Sequence, residues 1–345
     1  MRRWTRFLAL ALCILSILTL SGCGGLGGGK ASKTVAVLFP DSSEIWRRSG
    51  FSLQDSLQKV GFVVDLRFAK TANEQTEQFR NAVNQEPLTI IIGAVDGKSL
   101  KDTLAEAAAQ GIPVIAYDRL IMDSPHVSYF VGFDAEEIGR MQARSIERAL
   151  RLKDPAGSDN IEIFAGDPED SNSYLFYNGA MEILSPYLGT GRLHVPSGEA
   201  IFKQTATEDW SAEKAKARME RILQSDYANG RPIGAILSPN DNLAGGIREA
   251  LELHYKGKWP FITGLDADPE GIRAIADGRQ GMTIDKSPAL PVKECLRLVQ
   301  EIEAGQSVPT TSKVNNGMRE VPAFLCKPSV IYKSNLKSVH KANEY

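Results

Sequence analysis

The sequence predicts an α/β protein built from two doubly wound, parallel-sheet lobes, and three observations predict it. From Thr34 onward, short apolar runs rich in β-branched residues alternate with longer segments of helical period. The runs are apolar at consecutive positions rather than alternate ones, as strands covered on both faces are. The alternation comes in two successive series, and 345 residues supply enough chain for two cores at roughly 100–200 residues per domain.

In the first series, Val35-Ala36-Val37-Leu38-Phe39 reads as a strand and 44–59 as an amphipathic helix with Leu53, Leu57 and Val60 on one face. Next come a strand at 62–68, a helix at 73–84, the strand Leu88-Thr89-Ile90-Ile91-Ile92, a helix at 99–110 and the strand Ile112-Pro113-Val114-Ile115-Ala116. This βαβαβαβ order calls for a parallel sheet with helices on both faces. The second series holds strands at 161–165, 233–237, 260–264 and 281–284, with helices at 174–184, 212–223 and 242–253.

The segment ahead of the first strand is of another kind. Arg2, Arg3 and Arg6 precede an apolar run over 7–20 that is short for a bilayer span and is followed by small residues, the pattern of a secretion signal. The run ends in Leu20-Ser21-Gly22-Cys23, which resembles the lipobox of bacterial lipoproteins; cleavage there makes Cys23 the first mature residue and its thiol the lipid carrier. Residues 23–33 are glycine-rich and read as a flexible tether. Two nucleotide-binding look-alikes in it, Gly22 to Gly27 as G-x-G-x-x-G and Gly24 to Lys30 as a near P-loop, lie between no strand and helix and signify no nucleotide.

Subtracting the signal's three arginines from 40 basic residues, against 42 acidic, leaves a mature charge of −5. With no basic run, nucleic acid is a poor partner. Of the four cysteines, Cys13 leaves with the signal and Cys23 is lipidated. Cys295 and Cys326 remain, each in an apolar context that favours a buried free thiol over a disulfide. There is no serine nucleophile elbow, no H-E-x-x-H and no Cys/His metal spacing, and the histidines at 126, 194, 254 and 340 are scattered. The sequence therefore calls for no enzyme activity, no metal and no cofactor.

Ligands of open parallel sheets bind beyond the carboxyl ends of the strands, so the polar residues at those ends carry the functional reading. Asp118 and Arg119 follow one strand; Asp170 and Asn172 another; Asn240 and Asp241 a third; Asp266 and Lys286 two more. Sugar hydroxyls both donate and accept, and this mixture of carboxylates, amides and cations serves both needs. Trp46 and Trp210 fall in strand-to-helix connections, where an indole can stack on the apolar C–H face of a sugar ring. Asp134 and Asp241 are the weakest members, since helices start just after each and capping explains them.

Long blocks in order along nearly all of the mature chain resemble the periplasmic sugar-binding proteins of ABC importers, above all the xylose-binding and multiple-sugar-binding group. They are Ile112 to Ile121, the stretch 160–188 with Phe176-Tyr177-Asn178-Gly179-Ala180-Met181, Leu237-Ser238-Pro239-Asn240-Asp241, Gly264-Leu265-Asp266-Ala267-Asp268 and Asn316-Gly317-Met318-Arg319-Glu320-Val321-Pro322. The resemblance implies a type I periplasmic-binding fold with three segments crossing between the lobes, near 133–136, 285–287 and 314–316. It divides the chain into a signal peptide at 1–22, a tether at 23–33, an N-terminal lobe of 34–134 plus 287–314 and a C-terminal lobe of 135–285 plus 316–340. Carried over position by position, the sugar contacts are Trp46, Asp118, Arg119, Asp170, Asn172, Trp210, Asn240, Asp266 and Lys286. Two positions depart from the family: Ile45 stands where an Arg is usual, so that one donor is missing or is replaced by Arg47 or Arg48, and Leu265 where a Gln is usual.

These readings converge on a monomeric, lipid-anchored solute-binding protein outside the cytoplasmic membrane. It captures a pentose or hexose, xylose among them, and hands it to an ABC permease. The alternative is a sugar sensor whose closed form engages a histidine kinase or chemoreceptor ectodomain.

Overall fold

The computed structural model describes residues 33–336 apart from 42, 43, 155 and 307. The signal, Cys23, the tether and the two glycine motifs lie outside the described residues.

Strand β1 (Thr34–Pro40), helix α1 (Glu44–Lys59), β2 (Val63–Ala69), α2 (Ala72–Val83), β3 (Thr89–Ile92), α3 (Lys101–Ala109) and β4 (Val114–Tyr117) follow one another as the periodicity predicts. β5 (Tyr129–Phe133) completes the parallel core of the first sheet, whose order ends …β5-β4-β3-β1-β2. Its inner strands β1, β3, β4 and β5 are almost wholly apolar because helices cover both faces, whereas β2 at the edge carries Asp65 and Arg67. Ala36, Leu38, Ile90 and Ile92 pack under α2 and α3. Val35, Val37, Phe39 and Ile91 pack under α1 and the later helix α10 (Ala289–Glu303).

After β5 the chain crosses to the second sheet at Asp134, which N-caps α4 (Ala135–Ala149) by accepting from Glu137 N at 2.9 Å. That sheet has the order β7-β6-β8-β9, from β6 (Asp159–Ile163), β7 (Leu193–His194), β8 (Ala235–Leu237) and β9 (Phe261–Ile262). Around it lie α5 (Ser171–Gly189), the short α6 (Phe202–Thr205), α7 (Ala212–Asp226), α8 (Asp241–His254) and α9 (Pro269–Ala276). α4 and α5 touch backbone to backbone: a Cβ on Gly139 would lie 2.0 Å from Phe176 O, and one on Gly179 2.0 Å from Glu136 O. α5 runs past the end expected at 184 and through Pro186, and Tyr187 just beyond it donates to Glu147 Oε1 on α4 at 2.6 Å. Proline removes one donor here without ending the helix, since packing on α4 supports the last turn.

β10 (Thr283–Asp285) leads into the second crossing, where the chain returns through Lys286 to α10 on the first sheet. The third crossing corrects the sequence reading. β11 (Ser312–Asn315) and β12 (Glu320–Cys326) form an antiparallel hairpin, and β12 pairs in parallel with β5 through Ala323↔Phe130 to Cys326↔Phe133. The chain thus stays on the first sheet to Cys326 rather than leaving it at 314–316. It crosses at 327–328 into β13 (Ser329–Ile331), which pairs antiparallel with β10. The chemistry of 315–319 is that of a turn: Gly317 has φ 88°, and Asn316 Oδ1 accepts from Arg319 N at 3.0 Å.

The same correction moves the cysteines together. Both are free thiols, Cys295 on α10 and Cys326 at the end of β12. Both belong to the first lobe, so a bond between them would not clamp two lobes.

Candidate functional site

All nine sequence-predicted residues line one cavity of about 300 Å³ between the two sheets. The ends of strands from both sides supply them. β4 ends at Tyr117, and a tight turn, with Arg119 N donating to Tyr117 O at 2.7 Å, carries Asp118 at φ 61°. Across the cleft, Asp266 follows β9 at φ 91° and donates its N–H to Ile284 O at 2.9 Å. Asp209 (φ 60°) and Trp210 (φ 52°) are likewise left-handed, so half of the eight described non-glycine residues with positive φ line this cavity. Such strain persists where the surroundings fix it, and it gathers at binding sites.

Ion pairs cross between the lobes. Lys286 Nζ lies 3.1 Å from Asp118 Oδ1 and 3.4 Å from Asp266 Oδ1. Arg119 Nε lies 2.8 Å from Asp170 Oδ2. Asp170 also caps α5, its Oδ1 accepting from Asn172 N at 2.9 Å, so the capping and site readings both hold for it. Asn172 Nδ2 donates to Asp118 O at 3.1 Å. Asn240 caps α8 by accepting from Leu243 N at 2.9 Å, which leaves its Nδ2 end to donate. Capping was the reading for Asp241, and the structure corrects it: Asn240 takes that role, and Asp241 is buried behind the cavity wall.

Burial pushes the Asp170 and Asp266 carboxyls above the ordinary carboxylate range, against the pull of Arg119 on the first and Lys286 on the second. Burial likewise lifts Asp268, another lining residue, to about 6. For Lys286 burial works toward a neutral amine, but Asp118 and Asp266 outweigh it and hold the ammonium above its ordinary value. The cavity therefore presents fixed donors and fixed acceptors on side chains largely withdrawn from solvent, where each hydrogen bond counts for more than in water.

The two indoles have matching seats that the sequence reading missed. Trp46, inside α1 rather than in the connection before it, packs against Phe39 and Tyr117 at centroid distances of 5.3 and 6.3 Å, with the Arg119 guanidinium 5.4 Å from its ring. A Cβ on Gly93 would fall 2.4 Å from that ring, and a Cβ on Gly166 2.1 Å from the ring of Trp210. Each glycine follows an apolar run, Ile92-Gly93 and Ala165-Gly166, which is the signal that would have found them. Asp209, Glu213, Asn242 and Asp268 also line the cavity unforeseen. Among the described residues, buried Trp210 Nε1 has no hydrogen-bond partner, and buried Asp266 Oδ1 has the 3.4 Å ion pair with Lys286. Both departing residues, Ile45 and Leu265, line the cavity. Arg47 faces away, paired with Asp41 through Nε at 3.0 Å, so it is not the replacement donor.

A sequence profile described as periplasmic binding protein domain matches residues 35–307. The multiple sugar-binding periplasmic protein SbpA of Azospirillum brasilense is 37% identical over 311 residues, 88% of this chain and 87% of that one. The D-xylose-binding periplasmic protein of Escherichia coli (strain K12) is 31% identical over 309 residues, 87% of this chain and 88% of that one. An ABC transporter solute binding protein from Clostridium phytofermentans, solved with bound β-D-glucose, superposes with a TM-score of 0.88 at 37% identity, covering 90% of this chain and 98% of that one.

Proposed function

Because the chain belongs to the periplasmic binding protein domain family, we propose that it is the solute-binding protein of an ABC sugar importer. On this reading it captures a monosaccharide of the glucose or xylose kind between its lobes and delivers it to the permease as a monomer held outside the membrane by lipid on Cys23. The observation that carries the proposal is the meeting, in one cavity, of an indole from each lobe with Asp118, Asp170, Asp266, Asn172, Asn240, Arg119 and Lys286. The indoles suit the C–H faces of a pyranose and the polar groups its hydroxyls. The names of the relatives, a multiple sugar-binding protein and a xylose-binding protein, support the same ligand class.

The reading is of binding without chemistry. Asp118 and Asp170 are held by Lys286 and Arg119, which suits them to fixing hydroxyls rather than to exchanging protons. Closure of two lobes on the ligand is then a reversible population shift that the permease reads.

The test is thermal unfolding of the protein against a panel of pentoses, hexoses and polyols. A sugar at 100 times its dissociation constant adds about 2.7 kcal/mol, a rise of several degrees. No shift with any sugar overturns the proposal.

A further inference from the structure

Behind the cavity wall of the second lobe lies a buried polar network to which no comparison assigns a role. Its centre is Asp241, the first residue of α8 and 2% exposed. One carboxylate oxygen accepts from Gln280 Nε2 at 2.6 Å. The other accepts from Thr283 Oγ1 at 2.9 Å and from Asp268 N at 3.0 Å. The Asp241 N–H donates to Leu265 O at 3.0 Å. Gln280 is itself held by the buried Arg248 of α8.

Asp241 thus grips the segment 265–268 at both ends, and that segment carries two cavity acids, Asp266 and Asp268, with Asp266 and Ala267 at φ 91° and 52°. The local sequence is shaped around the carboxylate. A Cβ on Gly264 would lie 2.0 Å from Asp241 Oδ1, and one on Gly271 2.4 Å from Oδ2. A strained segment holds its shape only while its surroundings over-determine it, and two hydrogen bonds from the segment's own backbone to one buried residue do that.

We infer that Asp241 is the positioning residue of the ligand-binding segment 265–268, setting the place of Asp266 in the cavity without touching ligand; the inference takes from the proposed function only that Asp266 is a ligand contact.

The experiment has an arm that needs no sugar. In Asp241→Asn, backbone amides of 265–268 should exchange at least about tenfold faster in the unliganded protein, while those of β8 keep their protection. The second arm measures D-glucose and D-xylose affinity by calorimetry. Asp241→Asn should weaken binding about tenfold or more, and a cycle with Asp266→Asn should be clearly non-additive, because both changes act through one carboxylate. Thr283→Val, which removes the hydroxyl shared by Asp241 Oδ2 and Ala267 N, should reproduce both effects more weakly if Asp241→Asn fails to fold. Glu162→Gln, equally buried in the same lobe on Ser197 and Tyr227, separates general destabilisation from positioning: it should lower the melting temperature and leave affinity unchanged. Unchanged exchange at 265–268, or additive affinity losses, overturns the inference. A parent protein that binds neither sugar counts against the proposed function, and the exchange arm still decides the positioning role.

Discussion

Lys286 Nζ lies 3.1 Å from Asp118 Oδ1, so the crossing segment that leaves β10 is tied by an ion pair to the end of β4 on the opposite sheet. The same ammonium sits 3.4 Å from Asp266. One cation therefore organises two of the proposed acceptors, and it stands at a hinge.

Replacing it should cost twice. Lys286→Met keeps the stem but leaves two buried carboxylates facing each other, a loss of about 3–5 kcal/mol for a broken buried pair. Calorimetry should detect no sugar binding, and the melting temperature of the unliganded protein should fall. Full affinity in this variant would remove Lys286 from the site.

Asp266→Asn tests the acceptor directly. Asp266 Oδ1 is buried, and the partner the described residues give it is the Lys286 ammonium at 3.4 Å. A hydroxyl bonded to a charged partner is worth about 1.5–3 kcal/mol, so affinity should drop roughly 10- to 150-fold. The circular dichroism spectrum should be unchanged. Asp118→Ala should behave alike, and normal affinity in both would sink the assignment.

How far the sequence carries this picture differs by element. The strands of the first series were legible because helices cover both faces, which buries runs such as Thr89-Ile90-Ile91-Ile92 throughout and makes Ile90-Ile91-Ile92 apolar. The strand-end polar residues were legible because topology puts them at one edge. The third crossing was not. β12 carries Pro322 and mixes buried with half-exposed positions, and its parallel partner β5 is nearly two hundred residues away, so no local signal names the sheet it joins. The role of Asp241 was hidden for a similar reason. Beside Asn240, either residue can cap a helix, and only the approach of Gln280 and Thr283 from a distant segment distinguishes them.

The glycine seats give a prediction in which charge plays no part. In Gly93→Ala a methyl would stand 2.4 Å from the ring of Trp46, and in Gly166→Ala 2.1 Å from that of Trp210. Each indole must move, so stacking on a sugar ring is lost while every polar contact residue remains. Affinity should fall about tenfold in each variant, a few times RT for one aromatic contact. Intrinsic tryptophan fluorescence should shift in the unliganded protein. Unaltered emission together with unaltered affinity would show that the indoles are not seated on these glycines.

Buried carboxyls set the sign of a pH effect. Burial raises Asp241 to about 8 and Asp268 to about 6, from 3.8 for an ordinary aspartate. Between 3.8 and these values the folded state binds more protons than the unfolded chain, so each group makes stability fall as pH rises. Asp241→Asn removes the larger contribution. The difference in stability between parent and variant should therefore move in the variant's favour from pH 5 to pH 8 and level off above. Urea melts across that range measure it, and a difference that stays flat from pH 5 to pH 8 would mean that Asp241 is ionised throughout.

The cysteines supply a last test, of the lobe assignment itself. Cys295 is buried on α10, and burial raises its thiol well above the ordinary value. Burial pushes Cys326 up to about 12. Both thiols are therefore protonated at pH 8 and poor nucleophiles. The folded protein should react slowly with Ellman's reagent, and both thiols should react at once in urea without reductant. Oxidation forced on the pair should also leave sugar affinity intact, because α10 and β12 ride on the same lobe and closure does not change their separation. Loss of binding on oxidation, reversed by reductant, would instead mean that the chain changes lobes before Cys326.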